Sequence, residues 1–512
     1  MISFMIKNRS LNEPSLSTSK KRALHGTFLH ITDFHPDPYY IANSTIKSKC
    51  HGGHPKNKKP RFAGTWGTSI SSCDSPMSLV NATFNWLERN WKDKLDFIIW
   101  TGDNSRHDND NNNPRTSHEI FELNRMIASK FLETFSTRGI RGKNKPQVIP
   151  IVPSIGNHDI FPNNILSPGP NDILATIYKI WEPFIPGNQR ATFLKGGYYY
   201  TEVIPKKLMV ISLNTLYFYN SNTAVSGCKA PKQPGTIEME WLTNVLKQAR
   251  KRGMKVYLTG HIAPRKKQYT KSCYRAYKKI SIKFHDLILG HYYGHSNMDH
   301  FFFIGANKDL GKFKHYIEDY TEDYDNYDKE QFKTLVNKSP SKINKYLAKL
   351  YNHYRSVPPL TEGVGKEYAV VHINPSIIPV FYPALRVFKY NTTENKRPKS
   401  HDPNAPSHIN TFLTPLGYTQ YFINLTVSNL FPDEEPEYVV EYTTWGDYHM
   451  KDLTVPSWIN LARKVTNKKL SQNVRNVLWK KIEDNLVVGT KPLIETQSIE
   501  SLSKEPEDFY DF

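Results

Sequence analysis

Carboxylate, amide and imidazole side chains recur in this chain at one kind of place, the end of a short apolar run. Phe28-Leu29-His30-Ile31 stops at Thr32-Asp33-Phe34-His35, and Phe97-Ile98-Ile99-Trp100 leads through Thr101-Gly102 to Asp103. Asn157, His158 and Asp159 follow a run over residues 148–156, His261 follows residues 255–260, and His291 and His295 follow Leu287-Ile288-Leu289-Gly290. Alternation along an extended chain puts Asp33 and His35 on one side, so a carboxylate and an imidazole can reach one cation. The donors are oxygen and nitrogen with no thiolate, a set that suits two borderline or hard divalent ions. Asp103, just past the tight Gly102 turn, is placed to bridge both. A pair of ions about 4 Å apart can present a hydroxide to phosphorus in line.

The runs that carry these residues read as β-strands, and helices are expected between them. Asp74-Ser75-Pro76 gives a helix a cap and a proline in its first turn, with Val80, Phe84, Leu87 and Trp91 on the buried face. Ile120, Leu123, Ile127 and Phe131 mark a second helix. Trp241, Leu242, Val245, Leu246 and Ala249 mark a third, stopped by Gly253. Strand, helix, strand in this order argues an α/β fold of βαβ units, with ligands in the crevice at the strands' carboxyl ends.

At 512 residues the chain can bury a large core and form more than one unit. We expect a disordered tail over 1–24 and a main domain over 25–390. An insertion at 305–365 begins acidic and Tyr-rich and turns Lys-rich, and residues 368–388 close the sheet. A linker over 391–409, a small C-terminal α+β subdomain over 410–482 and a mobile acidic tail over 483–512 follow.

The formal net charge of +20 favours a polyanionic partner. No apolar run approaches the roughly 20 residues of a membrane span, which excludes a membrane bundle. The four cysteines, Cys50, Cys73, Cys228 and Cys273, form no C-x-x-C, so a thiolate zinc motif is excluded too. Of their three possible pairings, Cys50 with Cys73 and Cys228 with Cys273 is the most local and is the one expected in an oxidising compartment. Sequons at Asn8, Asn43, Asn81, Asn337, Asn391 and Asn424 would suit a glycoprotein there.

Asp33-x-His35, Gly102-Asp103-Asn104, Gly156-Asn157-His158-Asp159, Gly260-His261 and Gly294-His295-x-Asn297, in this order, resemble the calcineurin-like metallophosphoesterases over about residues 27–305. Residues 103–108, Cys73-Asp74-Ser75-Pro76 and residues 442–461 resemble the branch that holds acid sphingomyelinases and fungal vacuolar endopolyphosphatases. Residues 31–40 and 290–300 look like the endopolyphosphatases in particular. The resemblance implies a four-layer αββα sandwich with metals at the sheet ends. It implies Asp33 and His35 at a first ion, Asp103 as the bridge, and Asn157, His261 and His295 at a second. His158 would protonate the leaving oxygen, oriented by Asp159, with His107 assisting. Asn297 stands where the broader family has a histidine. Its amide oxygen can still ligate, and it tilts the site towards manganese, magnesium or cobalt over zinc.

The activity implied is metal-dependent hydrolysis of internal phosphoanhydride bonds in long inorganic polyphosphate, with no nucleic acid required. Arg265, Lys266, Lys267, Lys271 and Arg275 follow the ligand His261 and, with Arg106, could line a track for successive phosphates. The runner-up is a sphingomyelinase-like phosphodiesterase acting on a phospholipid head group or a nucleotide, and the high positive charge favours the first reading. The resemblance also implies a vacuolar location and an N-terminal membrane anchor. No transmembrane segment is visible in this sequence, and a start codon placed too far downstream would account for that.

Overall fold

Runs of β-branched and aromatic residues build two large sheets, beside the small β-pair of residues 36–37 and 75–76, in the computed structural model, which describes residues 24–53, 62–136, 148–305, 340–360, 363–394, 410–467 and 471–490. The strands are β1 (Thr27–Ile31), the two-residue β2 (Pro36–Asp37) and β3 (Ser75–Pro76), β4 (Phe97–Trp100), β5 (Ile151–Pro153), β6 (Tyr199–Ile204) and β7 (Leu208–Ser212). After them come β8 (Lys255–Thr259), β9 (Ile288–Tyr293), β10 (His300–Gly305), β11 (Tyr368–Ile373), β12 (Ala384–Tyr390), β13 (Pro415–Phe422) and β14 (Val439–Thr443). One six-stranded sheet runs β14-β13-β12-β1-β4-β5 and the other β10-β11-β9-β8-β7-β6. β1, β4 and β5 are parallel, as are β7, β8, β9 and β11, so every ligand-bearing strand ends on the same side of its sheet.

The sheets pack face to face through aromatic rings. Phe28 of β1 lies between Phe97 and Phe388, stacked at 4.8 and 4.7 Å, and meets Tyr257 and Tyr292 of the opposite sheet at 5.5 Å each. Helices close both outer faces. On the first sheet, α1 (Met77–Trp91) sets Trp86 against Tyr421, and α2 (Ser117–Phe135) sets Phe131 against Trp100. α3 (Asp172–Trp181) joins them through Trp181 on Trp100, while the short α4 (Arg190–Gly196) packs on α3. On the second sheet, α5 (Pro234–Lys251) packs on β8 and α6 (Lys271–Lys283) on β10 and β11. This is the expected four-layer sandwich.

Three expectations about organisation change. β13 and β14 extend the first sheet from β12, so the C-terminal segment is built into the main domain rather than standing as a subdomain beside it. From the insertion, α7 (Pro340–Ser356) packs on β10, and on α8 (Val455–Thr466), which itself lies on β11. Residues 483–490, expected in a mobile tail, belong to the fold instead, because α9 (Gln472–Leu486) runs to Leu486 and Val487 and Val488 are buried. The stretches 1–23, 306–339, 395–409 and 491–512, which hold most of the expected tails, insertion and linker, lie outside the described residues. Among the described residues, no helix is long and apolar enough to cross a membrane.

Both local cysteine pairs form, Cys50 with Cys73 and Cys228 with Cys273. The first ties the loop after β2 to the segment before β3, and the second ties the segment before α5 to α6. Non-reducing peptide mapping of the native protein should recover these two linked pairs. Replacing Cys228 and Cys273 together by alanine should cost about 2–5 kcal/mol in urea unfolding. Four alkylatable thiols in the native chain would contradict the pairing.

Candidate metal centre

The strands end where the backbone turns into left-handed conformations. Asp33, His35, Asp103, His295 and Asn297 have φ of 53°, 38°, 56°, 69° and 52°. For non-glycine residues this costs about 1–3 kcal/mol each and persists only where the surroundings hold it. Neighbouring loops do hold it. The Asp33 amide donates to the Gly102 carbonyl at 2.9 Å, and the Phe34 and His35 amides both donate to the Asp103 carbonyl at 3.0 and 3.2 Å. The His295 amide donates to Asp33 Oδ2 at 3.1 Å. Two glycines make room for this crowding. A Cβ on Gly156 would strike the Asp103 carboxylate, and one on Gly294 would strike Thr32 and Asp33.

The side chains delivered this way converge with their lone pairs inward. Asp103 Oδ1 accepts the His158 amide at 2.9 Å, which leaves Oδ2 facing His261 Nε2 at 3.1 Å and His35 Nε2 at 3.6 Å. Asp33 Oδ1 also lies 3.6 Å from His35 Nε2. His35 Nδ1 donates to the Ser105 carbonyl at 2.9 Å and His261 Nδ1 to the Thr101 carbonyl at 2.7 Å. A carbonyl only accepts, so in each neutral ring Nε2 carries the lone pair, an arrangement typical of metal-ligating histidines. Asn157 Oδ1 lies 2.9 Å from both His261 Nε2 and His295 Nδ1, and those two nitrogens are 3.2 Å apart. Acceptors crowd against acceptors with too few protons to share.

Burial makes this costly without a cation, since Asp33, His35, Asp103, Asn157 and His261 are all fully buried. Asp33 Oδ1 and both polar atoms of the Asn297 amide have no hydrogen-bond partner among the described residues. Two groups of ligand atoms, Asp33, His35 and Asp103, and Asp103, His261 and His295, each lie within 4.8 Å of one another and share Asp103. The donor set therefore fits two divalent ions with Asp103 between them. The electrostatics agree. Burial opposes a charge on His35, yet Asp33, Asp103 and Asp74 outweigh it and lift its pKa to about 9. At His261 burial is likewise outweighed, chiefly by Asp103, again to about 9. A proton on either Nε2 occupies the place a cation would take.

Beside the cluster stand two more imidazoles. The His107 ring stacks on His35 at 4.0 Å and meets His158 at 4.3 Å. Asp74 grips His107 twice, at its amide and at Nδ1, both at 2.6 Å. Asp74 was expected to cap α1, which instead starts after Pro76 with no side-chain cap. Arg115, absent from the expected site, reaches His158 Nδ1 at 3.3 Å through Nη1. A guanidinium only donates, so the neutral His158 ring carries its proton on Nε2. Burial, with His107 and Arg115 nearby, keeps the His158 pKa well below the usual imidazole range. The spacing Cys73-Asp74-Ser75-Pro76 was the available signal for Asp74, whereas Arg115 had none.

Some expected roles change. Asp159 does not orient the His158 ring. Its carboxylate accepts the amides of Asp103, Asn104 and Gly156 at 3.0, 2.7 and 2.8 Å and thereby pins the two ligand loops together. Arg106 is buried, ion-paired to Glu119 and stacked on Tyr39 at 4.9 Å, so its charge is neutralised inside the fold rather than lining a track. Arg265 is also buried, joined to His300 and Tyr346 and lying over Phe302. His291 sits within β9, bonded to the Tyr277 hydroxyl at 2.7 Å, away from the cluster. Lys266, Lys271 and Arg275 are exposed and Lys267 is half-buried.

Because both groups of ligand atoms depend on Asp103, Asp103→Asn should reduce turnover by at least about a hundredfold while the circular dichroism spectrum stays unchanged. Activity within tenfold of the parent chain would remove Asp103 from the centre.

The chain matches the model of the calcineurin-like phosphoesterases over residues 26–299. It is 31% identical to an endopolyphosphatase of Cryptococcus neoformans, with 92% of this chain and 93% of that one covered. An endopolyphosphatase of Saccharomyces cerevisiae is 32% identical over 89% of this chain and 85% of its own. One from Kluyveromyces lactis is 40% identical over 73% of this chain and 57% of its own. With its ligand motifs at the ends of five strands of the two sheets, the chain belongs to the calcineurin-like phosphoesterase family, among the fungal endopolyphosphatases.

Proposed function

We propose that this protein hydrolyses internal phosphoanhydride bonds of long inorganic polyphosphate. The observation that carries the reading is a metal-competent cluster next to a cationic helix face. α6 presents Lys271, Arg275 and Lys279 at four-residue spacing, all exposed, so they share one side of the helix. Its start lies close to the cluster. The Thr270 amide donates to the Phe218 carbonyl at 2.8 Å, and the Tyr219 ring stands 5.7 Å from that of His295. A chain of phosphates lying along α6 would meet charge-assisted donors at each turn before reaching the buried ligands.

Asp33 and His35 would hold one ion, Asp103 both, and Asn157, His261 and His295 the other. When bound, such ions act as Lewis acids on phosphoryl oxygens. The oxygen and nitrogen donors, with the Asn297 amide, favour manganese, magnesium or cobalt. His158 has the protein's part in the chemistry. Its Nε2–H, set by Arg115 on the far nitrogen, would donate a hydrogen bond to the leaving oxygen, and His107, held by Asp74, flanks it. For location we propose the vacuolar lumen. Two disulfides support an oxidising compartment. A fluorescent fusion of the full reading frame tests it, and a cytosolic signal would contradict it.

Long polyphosphate incubated with the protein and manganese should shorten to a spread of intermediate lengths on a gel before much orthophosphate appears. Steady orthophosphate release from chains that keep their length would contradict internal cutting. Faster turnover of sphingomyelin or a nucleotide would move the assignment to a phosphodiesterase. Replacing Lys271, Arg275 and Lys279 together by glutamine should raise KM for long chains several-fold, with little change for a small chromogenic phosphoester. Added salt should erase much of that difference, because multiple phosphate contacts release condensed counterions.

A further inference from the structure

The loop that carries His295 and Asn297 leaves the second sheet at Tyr293 and returns at His300, with two non-glycine residues in left-handed conformation between. Its last residue, Asp299, is buried and faces away from the cluster into a network built from the other sheet. Asp299 Oδ1 is joined to Arg386 Nη2, and Oδ2 accepts the Tyr442 hydroxyl at 2.5 Å. Arg386 is itself fixed on three further sides. Its Nε donates to Gln420 Oε1 at 2.8 Å, its Nη1 to the Ile373 carbonyl at 2.8 Å, and its guanidinium lies 4.5 Å over the Tyr418 ring. Gln420 passes the chain on to Glu441 at 2.7 Å, and Tyr418 and Tyr442 share a hydrogen bond at 2.8 Å. The Asp299 amide donates to the Leu486 carbonyl at the end of α9.

Every partner in this network except Ile373 and Leu486 lies on β12, or on β13 and β14, which extend the first sheet from it. We infer that Asp299, clamped by Arg386 and Tyr442, is a positioning residue through which the C-terminal strands fix His295 and Asn297 and so set the affinity for one of the two ions. A buried ion pair that also satisfies a tyrosine hydroxyl is rigid, and removing one partner leaves the other buried and unpaired. Its position two residues from Asn297 and four from His295 directs that rigidity at one loop. His35 and Asp103 are held by hydrogen bonds at the ends of β1 and β4, and Asp33, although it accepts the His295 amide, is also fixed through its own amide on the Gly102 carbonyl, so the effect should fall mainly on the ion at His295.

The inference rests on the metal centre and not on which phosphate bond is cut. The test is calorimetric titration of the metal-free full chain with manganese, and in parallel with cobalt, for the parent, Asp299→Asn and Tyr442→Phe. The parent should show two binding events. Asp299→Asn should weaken one of them about ten- to a hundredfold and leave the other within about twofold, as removal of an outer partner of a ligand does. Tyr442→Phe, which keeps the ion pair, should weaken the same event by about threefold or more, and it decides the matter if Asp299→Asn fails to fold. Two unchanged events in folded variants, or two events weakened alike, would overturn the positioning role. A parent chain that takes up neither metal would overturn the metal centre itself.

Discussion

Two carboxylates, Asp33 and Asp103, sit fully buried beside the His35 and His261 imidazoles, whose hydrogen bonds to backbone carbonyls leave lone pairs pointing at them. A buried ionised carboxylate without a counter-charge costs several kcal/mol, and here two share one pocket. The rest of the fold follows from keeping that pocket assembled. Positive charge is the only thing that relieves it, and it must arrive between Asp103 Oδ2 and nitrogens from opposite sheets. An ion held there would join the two sheets at their carboxyl ends, making the pocket both site and clasp.

Delivery of these groups uses the simplest property of a parallel sheet. Strands running the same way end on one edge, and each ending contributes one or two polar residues before the chain turns. Left-handed turns at Asp33, Asp103 and His295 are tolerated because amides and carbonyls of the adjoining loops lock them. Asp159 has the most economical part in this. One buried carboxylate takes amides from the loops after β4 and β5, which carry Asp103 and Asn157.

The gathering of polar residues at the strand ends was legible in the sequence because the signal is local, an apolar run followed by a polar residue. The cysteine pairing was legible for the same reason, since the closest partners pair. What depends on distant partners was not. Asp74 and His107 are 33 residues apart, and nothing near Asp74 distinguishes an imidazole partner from a helix cap. A carboxylate next to a histidine reads as its orienter, yet three amides from folded loops claim Asp159 first. Arg106 and Arg265 look like surface cations until Glu119, and His300 with Tyr346, bury them. Alternation in β13 and β14 announces strands but carries no information about which sheet edge they join.

The most direct test of the account is an anomalous difference map from crystals of the full chain grown with manganese and measured at the manganese edge. Two peaks are predicted, one between Asp33, His35 and Asp103 and one between Asp103, Asn157, His261 and His295. A single peak, or a peak among His35, Asp74 and His107, the third group of close ligand atoms, would contradict a dinuclear centre bridged by Asp103.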